Sequence, residues 1–571
     1  MSDGAEVDRV SMIVLRAMRW PLTCLFGVYV IGMAGFALIP GLNGEPLSFF
    51  HALYILSYTA TTTGFGELPD PFSAAQRLWV IGLLHVTVIA WLYSIGSILR
   101  LIQNEHFRRA LARYAFARRV RRIGEPFVIV CGFGDAGSLL ARSLDDSAMA
   151  AVVVDNDPDR IKALKLRDFD VQVHGVCANA ASPNRLLEAG LRHPWCRGVV
   201  AVTDDERVNA TVAVMTRALN PALRPMCRVE SRELGEELET LGGVLVLDSF
   251  EVFAARLASA LHRPAVHALG NWFAQVADAN LDYRIDCPRG RWILCGYGRM
   301  GQRLEEHMRA EGIRMTVIDP GIDEDDAGPD RIRGSADRET LARADVAEAA
   351  CVIVATDDDT TNLRITMTVQ SMNPDAYLVV RQNLHANEVA FLGGPIDLVV
   401  HPDRVLARRI QFELISPGLQ PLLDHLERGS ASVLDELMTR LKATIGDRAP
   451  SLWVSTLNAE SAPALDECLS RETPLVPLLG DLLRDPGRRE ACVDAVALQL
   501  ERDGELHHLP SPDTTLAPGD RILFCGTWRI RSGLRAVLAD PYALDHLVTG
   551  REPPRSYLFR WLDARRERAA G

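Results

Sequence analysis

The sequence predicts an α-helical two-span membrane domain, followed by α/β Rossmann-like tandem domains and a small α+β C-terminal lobe. Two long apolar runs lie near the N-terminus, and each is long enough to cross about 30 Å of hydrocarbon at about 1.5 Å per helical residue. After them, an apolar strand leading into Gly-x-Gly-x-x-Gly occurs twice. A further strand-like segment, 516–526, follows both repeats. These three observations set the order of the predicted domains.

The two apolar runs are predicted to be membrane spans. They cover about 20–39 and about 78–99, and residues 46–66 between them form a semi-apolar segment that is too short to cross. This order predicts a re-entrant pore helix between the spans. Arginines precede the first span and follow the second, whereas the loop between the spans is nearly free of them, so both termini are expected in the cytoplasm. Nothing in the first residues resembles a cleaved signal peptide.

The re-entrant segment ends in a run of threonine and glycine. Its last five residues are Thr62, Thr63, Gly64, Phe65 and Gly66. An ion-selectivity filter replaces the water shell of the ion with backbone carbonyls, and glycine reaches the backbone conformations that this requires. The run therefore predicts a selectivity filter with K⁺ as the permeant ion. The alternative is a Thr/Gly loop that joins two anchor helices.

Composition limits the partners and the compartment. The formal net charge of the 571 residues is −12, which disfavours nucleic acid as a partner. The arginine cluster after the second span is interpreted as a collar facing the lipid bilayer. The 11 cysteines have no regular spacing, which is typical of a reducing compartment, and no Cys/His group has the spacing of a metal site.

The two glycine-rich repeats predict nucleotide binding. In each repeat a second apolar strand ends in an acid, and a Thr-Asp-Asp sequence follows near a later strand end. The register extends to Arg228, which matches Arg381. The alternative for each motif is a tight strand-to-helix turn with no ligand. The candidate residues are Gly132, Phe133, Gly134, Gly137, Asp155 and Asp204 in the first repeat, and Gly296, Tyr297, Gly298, Arg299, Met300, Gly301, Asp319 and Asp357 in the second.

The chemistry of these residues favours NAD(H) or an adenine nucleotide as the ligand. The glycines allow the turn and let the backbone approach a pyrophosphate at a helix N-terminus. Asp155 and Asp319 are predicted to accept hydrogen bonds from ribose hydroxyls, and a carboxylate there repels the 2′-phosphate of NADP. Arg299 adds positive charge beside the phosphates, or is simply an exposed arginine at the start of a helix.

An acidic run at 323–326 has enough carboxylates for a hard cation such as Ca²⁺. Its spacing does not match an EF-hand loop, and a solvated acidic loop is the alternative. The identity of any metal ligand is left open by the sequence.

Together, the filter, the two repeats with Thr-Asp-Asp and the segment 516–526 resemble prokaryotic two-transmembrane potassium channels with tandem RCK (KTN or TrkA-N-like) cytoplasmic domains. The resemblance implies a homotetramer with one pore in the prokaryotic inner membrane, and a cytoplasmic gating ring that a regulatory nucleotide expands or contracts. Some members of the family sense calcium. The implied function is a ligand-gated potassium channel and not an enzyme.

The resemblance also implies a domain plan. It comprises a transmembrane pore domain (1–103), an Arg-rich linker (104–124), a first RCK domain (125–262), a connecting segment (263–290), a second RCK domain (291–425), the RCK C-terminal lobe (426–545) and a tail (546–571).

Two alternative functions remain open at this stage. Thr63 and Phe65 depart from the Thr-Val-Gly-Tyr-Gly signature of potassium channels, so a non-selective cation channel is one alternative. The other is a membrane-anchored NAD-dependent oxidoreductase, in which the spans only tether the Rossmann domains. The sequence offers no evident substrate domain with a catalytic His, Lys or Tyr, which favours the channel.

Overall fold

The computed structural model describes residues 2–61, 63–66, 71–273, 288–415, 418–446, 450–470 and 476–550. The chain divides into two compact units, Met1–Ile123 and Gly124–Gly571. Each unit is described by itself below.

The first unit is helical. Its helices are α1 (Ser2–Leu38), α2 (Phe49–Ala60), α3 (Ala74–Gln103) and α4 (Glu105–Val120). The segments Val14–Leu38 and Ala74–Gln103 are long and apolar enough to cross a membrane, as the sequence predicted. α1 and α3 pack closely, because a Cβ at Gly35 would lie only 2.2 Å from Cε2 of Trp79. The short helix α2 packs against both, with Leu56 fully buried.

The second unit begins with a Rossmann-like domain. Its six parallel strands have the order β3-β2-β1-β4-β5-β6, in which the strand order reverses beside β1. β1 and β2 are fully buried runs of apolar residues, as expected of a parallel sheet covered by helices on both faces. The elements are β1 (Phe127–Cys131), α5 (Asp135–Asp146), β2 (Ala150–Asp155), α6 (Pro158–Leu166), β3 (Val173–Cys177), α7 (Pro183–Glu188), β4 (Cys196–Ala201), α8 (Glu206–Leu219), β5 (Met226–Arg228), α9 (Arg232–Thr240), β6 (Leu245–Leu247), α10 (Ser249–His262) and α11 (Pro264–Phe273).

A second Rossmann-like domain repeats this topology, with the strand order β12-β11-β10-β7-β8-β9. It has no counterpart of α6, because a short 3₁₀ turn at Glu324–Asp326 stands in that place. The elements are β7 (Arg291–Cys295), α12 (Arg299–Ala310), β8 (Met315–Asp319), β9 (Arg331–Arg333), α13 (Arg338–Arg343), β10 (Ala349–Val354), α14 (Asp359–Met372), β11 (Tyr377–Arg381), α15 (Glu388–Leu392), β12 (Leu398–Val400), α16 (Pro402–Ile415) and α17 (Leu419–Arg428).

The two Rossmann-like domains exchange helices. α10 follows the first sheet but buries Phe253 and Leu257 in the core of the second domain, against α12. α16 follows the second sheet but buries Leu406 and Ile410 in the core of the first domain, against α5. Each domain is therefore completed by a helix from the other, which joins them through apolar burial.

A small α+β lobe completes the second unit. Its four-stranded antiparallel sheet has the order β13-β18-β16-β17, and Arg521–Gly526 from the predicted strand segment is an inner strand. The lobe packs against α11 and α17. The fold class predicted from the sequence is thus confirmed. The elements are α18 (Ala431–Ile445), β13 (Ser451–Thr456), α19 (Pro463–Leu469), α20 (Leu479–Leu482), β14 (Arg484–Asp485), β15 (Arg488–Cys492), β16 (Ala495–Arg502), β17 (Glu505–His508), β18 (Arg521–Gly526), α21 (Trp528–Ala539) and α22 (Pro541–Thr549).

An ion pair between α10 and α12 makes stability depend on pH. His307 Nε2 lies 2.7 Å from Glu251 Oε1, and this hydrogen bond raises the pKa of His307 and lowers the pKa of Glu251. The charged imidazolium form of His307 therefore stabilises the folded state. Its contribution is complete below the ordinary histidine pKa of 6.5 and is lost as pH rises through the raised pKa of the folded state.

We expect His307→Gln to lower the melting temperature more at pH 6 than at pH 8. The pair is half-exposed, so the contribution that is lost should stay below about 1 kcal/mol. Thermal unfolding of the full-length native protein and variant at the two pH values measures this. An equal loss at both values would show that the pair does not titrate as described.

Candidate functional site

The predicted filter follows directly from the C-terminal end of α2. The backbone N–H groups of Thr63 and Gly64 both donate to the carbonyl oxygen of Tyr58, at 3.0 and 3.3 Å. The hydroxyl groups of Thr61 and Thr63 lie 2.8 Å apart. The chain is therefore turned back from the helix end and fixed there by backbone bonds. Thr62 lies outside the described residues.

The backbone beyond this turn alternates in conformation. Gly64 has φ +63° and Gly66 has φ +71°, whereas Phe65 between them is not among the residues with positive φ. Alternation of this kind turns the carbonyl groups of successive residues towards one side, and only glycine adopts positive φ without a steric cost. The Phe65 side chain is exposed in the single chain. This geometry suits a row of carbonyl ligands, and the filter assignment stays a prediction.

The two glycine loops of the Rossmann-like domains are built alike. Gly134 and Gly298 are the N-cap residues of α5 and α12, so the first N–H groups of each helix face the loop. Gly137 and Gly301 permit close packing of helix on strand, since a Cβ would lie 2.0 and 2.2 Å from the carbonyl oxygens of Gly132 and Gly296 respectively.

The predicted ribose acids also occupy equivalent places. Asp155 accepts hydrogen bonds from the N–H groups of Phe133 and Asp157 at 2.5 and 2.7 Å. Asp319 accepts hydrogen bonds from the N–H groups of Tyr297 and Gly321, both at 2.6 Å. Each carboxylate thus ties the glycine loop to the end of the second strand, which places it at the position of a ribose-binding acid.

The first glycine loop is covered by Arg160 of α6. Its guanidinium lies 3.7 Å from Asp155 and 3.4 Å from Asp204, and its Nη1 is 3.3 Å from the place of a Cβ at Gly134. The predicted first site is therefore filled by a side chain of its own domain. Asp155 is 4 % exposed as a result.

The second glycine loop is open. In the described part of the chain, apart from the two neighbours of Gly298, no atom lies within 4 Å of the place of its Cβ. A cleft of about 610 Å³ extends from the loop past Asp319 to Asp357. Besides the glycine loop, the cleft is lined by Phe250, Gln302, Gly321, Ile322, Asp323, Asp326, Arg331, Ala355, Thr356 and Arg381. The volume suits a nucleotide-sized ligand.

Two equivalent arginines differ in their close ion pairs. Arg228 in the first domain pairs with Glu230 at 2.6 Å and with Asp403 of α16 at 3.0 Å. Arg381 in the second domain lies 4.9 Å from the centroid of the Phe250 ring. Phe250 is the residue of α10 that is equivalent to Asp403 of α16, so an aromatic ring takes the place of the acid. Arg381 Nε is buried and has no hydrogen-bond partner among the described residues, and burial lowers the pKa of Arg381. A guanidinium with a buried, unbonded nitrogen and no close ion pair among the described residues is available to bind a phosphate.

Arg299 lines the same cleft from the start of α12. It pairs with Glu230 at 2.5 Å, and its guanidinium lies 5.7 Å from the centroid of the Phe250 ring. The buried ring of Phe250 thus lies close to both arginines that line the cleft. With the open loop and the orphaned Arg381 nitrogen, these residues fit the phosphates and the aromatic base of a nucleotide.

Other predicted residues have structural roles in the described structure. The side chain of Met300 is buried in the core of the second domain, so only its backbone faces the loop. Phe133 is buried beneath Arg167. The Tyr297 hydroxyl donates to Glu305 and accepts from Arg331 at 2.9 Å. Burial and Glu305 raise the pKa of Tyr297.

Two features of the cleft are not predicted by the sequence, namely Phe250 and the role of Arg381. Arg381 was recognised as a repeat position, but nothing in its surroundings along the chain shows that it lacks an acid. Phe250 reaches the cleft on a helix exchanged from the other domain. Comparison of the two repeats through their last helices would have shown that Phe250 stands where the other copy has Asp403.

The acidic run at 323–326 contributes Asp323 and Asp326 to the cleft. Among the described residues, no group of three or more His, Cys, Asp or Glu side chains is arranged to hold a metal ion. Calcium binding there stays a prediction.

Comparison with known proteins agrees with this geometry. The model of the TrkA-N domain matches residues 128–248 and 292–402, each of which spans one six-stranded sheet with its glycine loop. The chain contains two TrkA-N domains. Both begin at the first strand of the repeat and end at the exchanged helix. Both glycine loops lie within the residues that match the TrkA-N domain.

The chain is similar to two archaeal proteins. Potassium channel protein 1 of Methanocaldococcus jannaschii is 23 % identical over 198 residues, which are 35 % of this chain and 58 % of the relative. Probable potassium channel protein 2 of the same organism is 20 % identical over 251 residues, which are 44 % of this chain and 71 % of the relative. The chain therefore spans less than two thirds of the first relative's length. A solved structure, the GsuK channel bound to NAD, is 16 % identical with a TM-score of 0.45, and the match covers 93 % of this chain and 100 % of that one.

Proposed function

We propose that this protein is a potassium channel whose opening is regulated by NAD(H) or an adenine nucleotide bound at the second TrkA-N domain. The observation that carries the proposal is the alternating backbone at Gly64 and Gly66, held at the end of α2 between two apolar helices. An anchor for an enzyme needs no such turn. The names of the two archaeal relatives support the potassium channel, and not the regulation by a nucleotide.

The pore is proposed to be a homotetramer in the prokaryotic inner membrane, with both termini in the cytoplasm. One filter strand supplies carbonyl oxygens on only one side of an ion, so several copies around an axis are needed to replace its water shell. The arginines on either side of the spans favour the cytoplasmic orientation. The predicted domain boundaries are retained in this proposal.

The nucleotide is proposed to bind in the second cleft. The helix N-terminus at Gly298 and the guanidinium groups of Arg299 and Arg381 would hold its phosphates, and Asp319 would accept from its ribose. In the first domain the same place is filled by Arg160, which would have to move before Asp155 could bind a ribose. Calcium has no role in this proposal beyond the prediction from the acidic run.

A ligand regulates a gate only by binding its open and closed states differently. A coupling free energy of about 1–3 kcal/mol would change the ratio of open to closed channels roughly 5- to 150-fold. We propose that the coupling passes through the Arg-rich segment 104–124, because it joins the second span to the first TrkA-N domain in the sequence.

Potassium selectivity is the first property to test. We expect the reversal potential of the purified protein in a planar bilayer to follow the potassium gradient when sodium replaces potassium on one side. Thr63 and Phe65 differ from the usual filter, so Phe65→Tyr should raise selectivity or leave it unchanged. Equal permeability for the two ions in the native protein would instead establish a non-selective cation channel.

A further inference from the structure

A second cavity lies between the exchanged helices and shares no lining residue with the nucleotide cleft. It has a volume of about 350 Å³ and is bounded by β6 and by α10, α11, α16 and α17. α10 and α16 pack against each other, and each contributes to the core of the domain that it does not follow in the sequence. An occupant of the cavity therefore contacts elements of both TrkA-N domains. The apolar lining includes Leu247, Val252, Val266, Phe412, Leu419 and Leu423.

Arg256 of α10 lines this cavity without an acid of its own. Its guanidinium donates to Oδ1 of Asn271, and Nδ2 of Asn271 lies 2.8 Å from Nε2 of His267. Because an amide nitrogen donates, Nε2 of His267 accepts, which requires a neutral imidazole. Burial, with Arg256 nearby, lowers the pKa of His267 to about 4, in agreement with that assignment. Among the described residues, no carboxylate forms an ion pair with Arg256.

The equivalent arginine of the other copy is balanced by acids. The register of the two repeats makes Arg409 of α16 equivalent to Arg256. Arg409 also lines the cavity and pairs with Glu413 at 2.9 Å, and Asp424 opposes the lowering of its pKa by burial. In the same register, Asn271 stands where the other copy has Asp424. Arg256 therefore lacks the negative charge that its equivalent has.

Arg408 adds a further positive charge near the contact of α10 with α16. Burial lowers the pKa of Arg256 to about 10, and Arg408 and Arg409 lie near enough to contribute to this shift. Burial together with Arg404 lowers the pKa of Arg408, which forms no ion pair in the described part of the chain. Arginines that are held near one another and partly buried favour the binding of an anion.

Most acids of the lining are matched by other groups. Asp248 and Glu251 pair with Arg303 of α12, at 3.3 and 3.5 Å. Asp424 stabilises the charged form of the arginine in the second copy. Of the acids in the lining, this leaves Glu427 against two arginines that have no ion pair among the described residues. The cavity therefore retains an excess of positive charge that a ligand can neutralise.

We propose that this cavity binds a small organic monocarboxylate, whose carboxylate pairs with Arg256 and whose short apolar tail lies against the apolar lining. A carboxylate matches the planar fork of a guanidinium, so a single charged group suffices. An inorganic anion would leave the apolar lining uncovered, and a neutral apolar molecule would leave Arg256 unpaired. The site does not depend on the proposed channel function, because binding to it is measured directly.

4-Methylpentanoate, its uncharged amide and acetate test the proposal by titration calorimetry on the full-length protein in lipid nanodiscs. The amide keeps the tail and removes the charge, whereas acetate keeps the charge and removes the tail. We expect 4-methylpentanoate to bind with a saturable isotherm, and each analogue to bind about tenfold more weakly or worse. Nanodiscs without protein correct for partition into lipid.

Asn271→Asp is the decisive variant, because it gives Arg256 a carboxylate within the protein at almost unchanged size. We expect it, and Arg256→Gln, to weaken binding of 4-methylpentanoate about tenfold or more. Nucleotide affinity is the control for folding, since neither residue lines the nucleotide cleft. Absence of saturable binding of 4-methylpentanoate would overturn the proposal, as would equal affinity for its amide or unchanged affinity in Asn271→Asp.

Discussion

Gly64→Ala is expected to abolish potassium current while leaving the protein folded and assembled. Gly64 has φ +63°, and an alanine in that region costs about 1–2 kcal/mol in each subunit. Among the described residues, apart from the chain neighbours of Gly64, no atom lies within 4 Å of the added methyl group, so the strain falls on the backbone and not on packing. A filter strand that relaxes to negative φ turns a carbonyl away from the ion path. Current should fall at least tenfold, because every copy in the ring is affected.

Gly27→Ala is the matched control for this variant. Gly27 lies within α1 and has no positive φ, and among the described residues no atom outside its own stretch of helix backbone lies within 4 Å of its Cβ position. Alanine favours a helix over glycine, so this variant should conduct as the native protein does. Potassium flux into liposomes measures both variants. Native flux in Gly64→Ala, with the oligomer intact on size-exclusion chromatography, would show that residues 62–66 do not form the filter.

Arg381→Gln is expected to weaken nucleotide binding roughly 10- to 100-fold, since a buried charge-assisted hydrogen bond contributes about 1.5–3 kcal/mol. Arg381 forms no close ion pair among the described residues, unlike Arg228 in the first domain, although Asp357 and Glu230 lie near enough to oppose the lowering of its pKa by burial. The substitution should therefore cost affinity and little stability. Calorimetric titration of the full-length protein with NAD⁺, NADH and ADP gives the affinity of each.

Arg338→Gln serves as the control for charge. Arg338 begins α13 of the same domain, is exposed and donates to Ser371, so its loss removes one positive charge far from the lining of the cleft. The affinity of the Arg338→Gln variant for nucleotide should match that of the native protein. Equal affinities of native and Arg381→Gln proteins would show that the phosphates do not bind at Arg381.

Much of the fold follows from short stretches of sequence. The spans follow from length and the absence of charge, and both TrkA-N domains follow from a strand, a glycine loop and an acid that recur in register. These signals are local, because each concerns neighbours along the chain. The helix exchange is not local: α10 and α16 have apolar faces that would suit either domain, and their partner is decided by packing.

The difference between the two nucleotide sites also depends on contacts between residues that are distant in the sequence. Both copies carry the glycines and the acid, so the sequence predicts two similar sites. Arg160 covers the first because α6 is present there, whereas the second copy has only a short acidic 3₁₀ turn. The pairing of Arg228 with Asp403, and of Arg381 with Phe250, depends on residues brought from the other domain.

Planar-bilayer recording of the purified full-length protein, with nucleotide added on the cytoplasmic side, tests the central claim most directly. The account predicts a potassium-selective current whose open probability changes at least about fivefold at saturating NAD(H) or ADP. It also predicts that Arg381→Gln shifts the required concentration without changing the conductance of the open channel. Absence of potassium current, or an open probability that saturating nucleotide leaves unchanged, would contradict it.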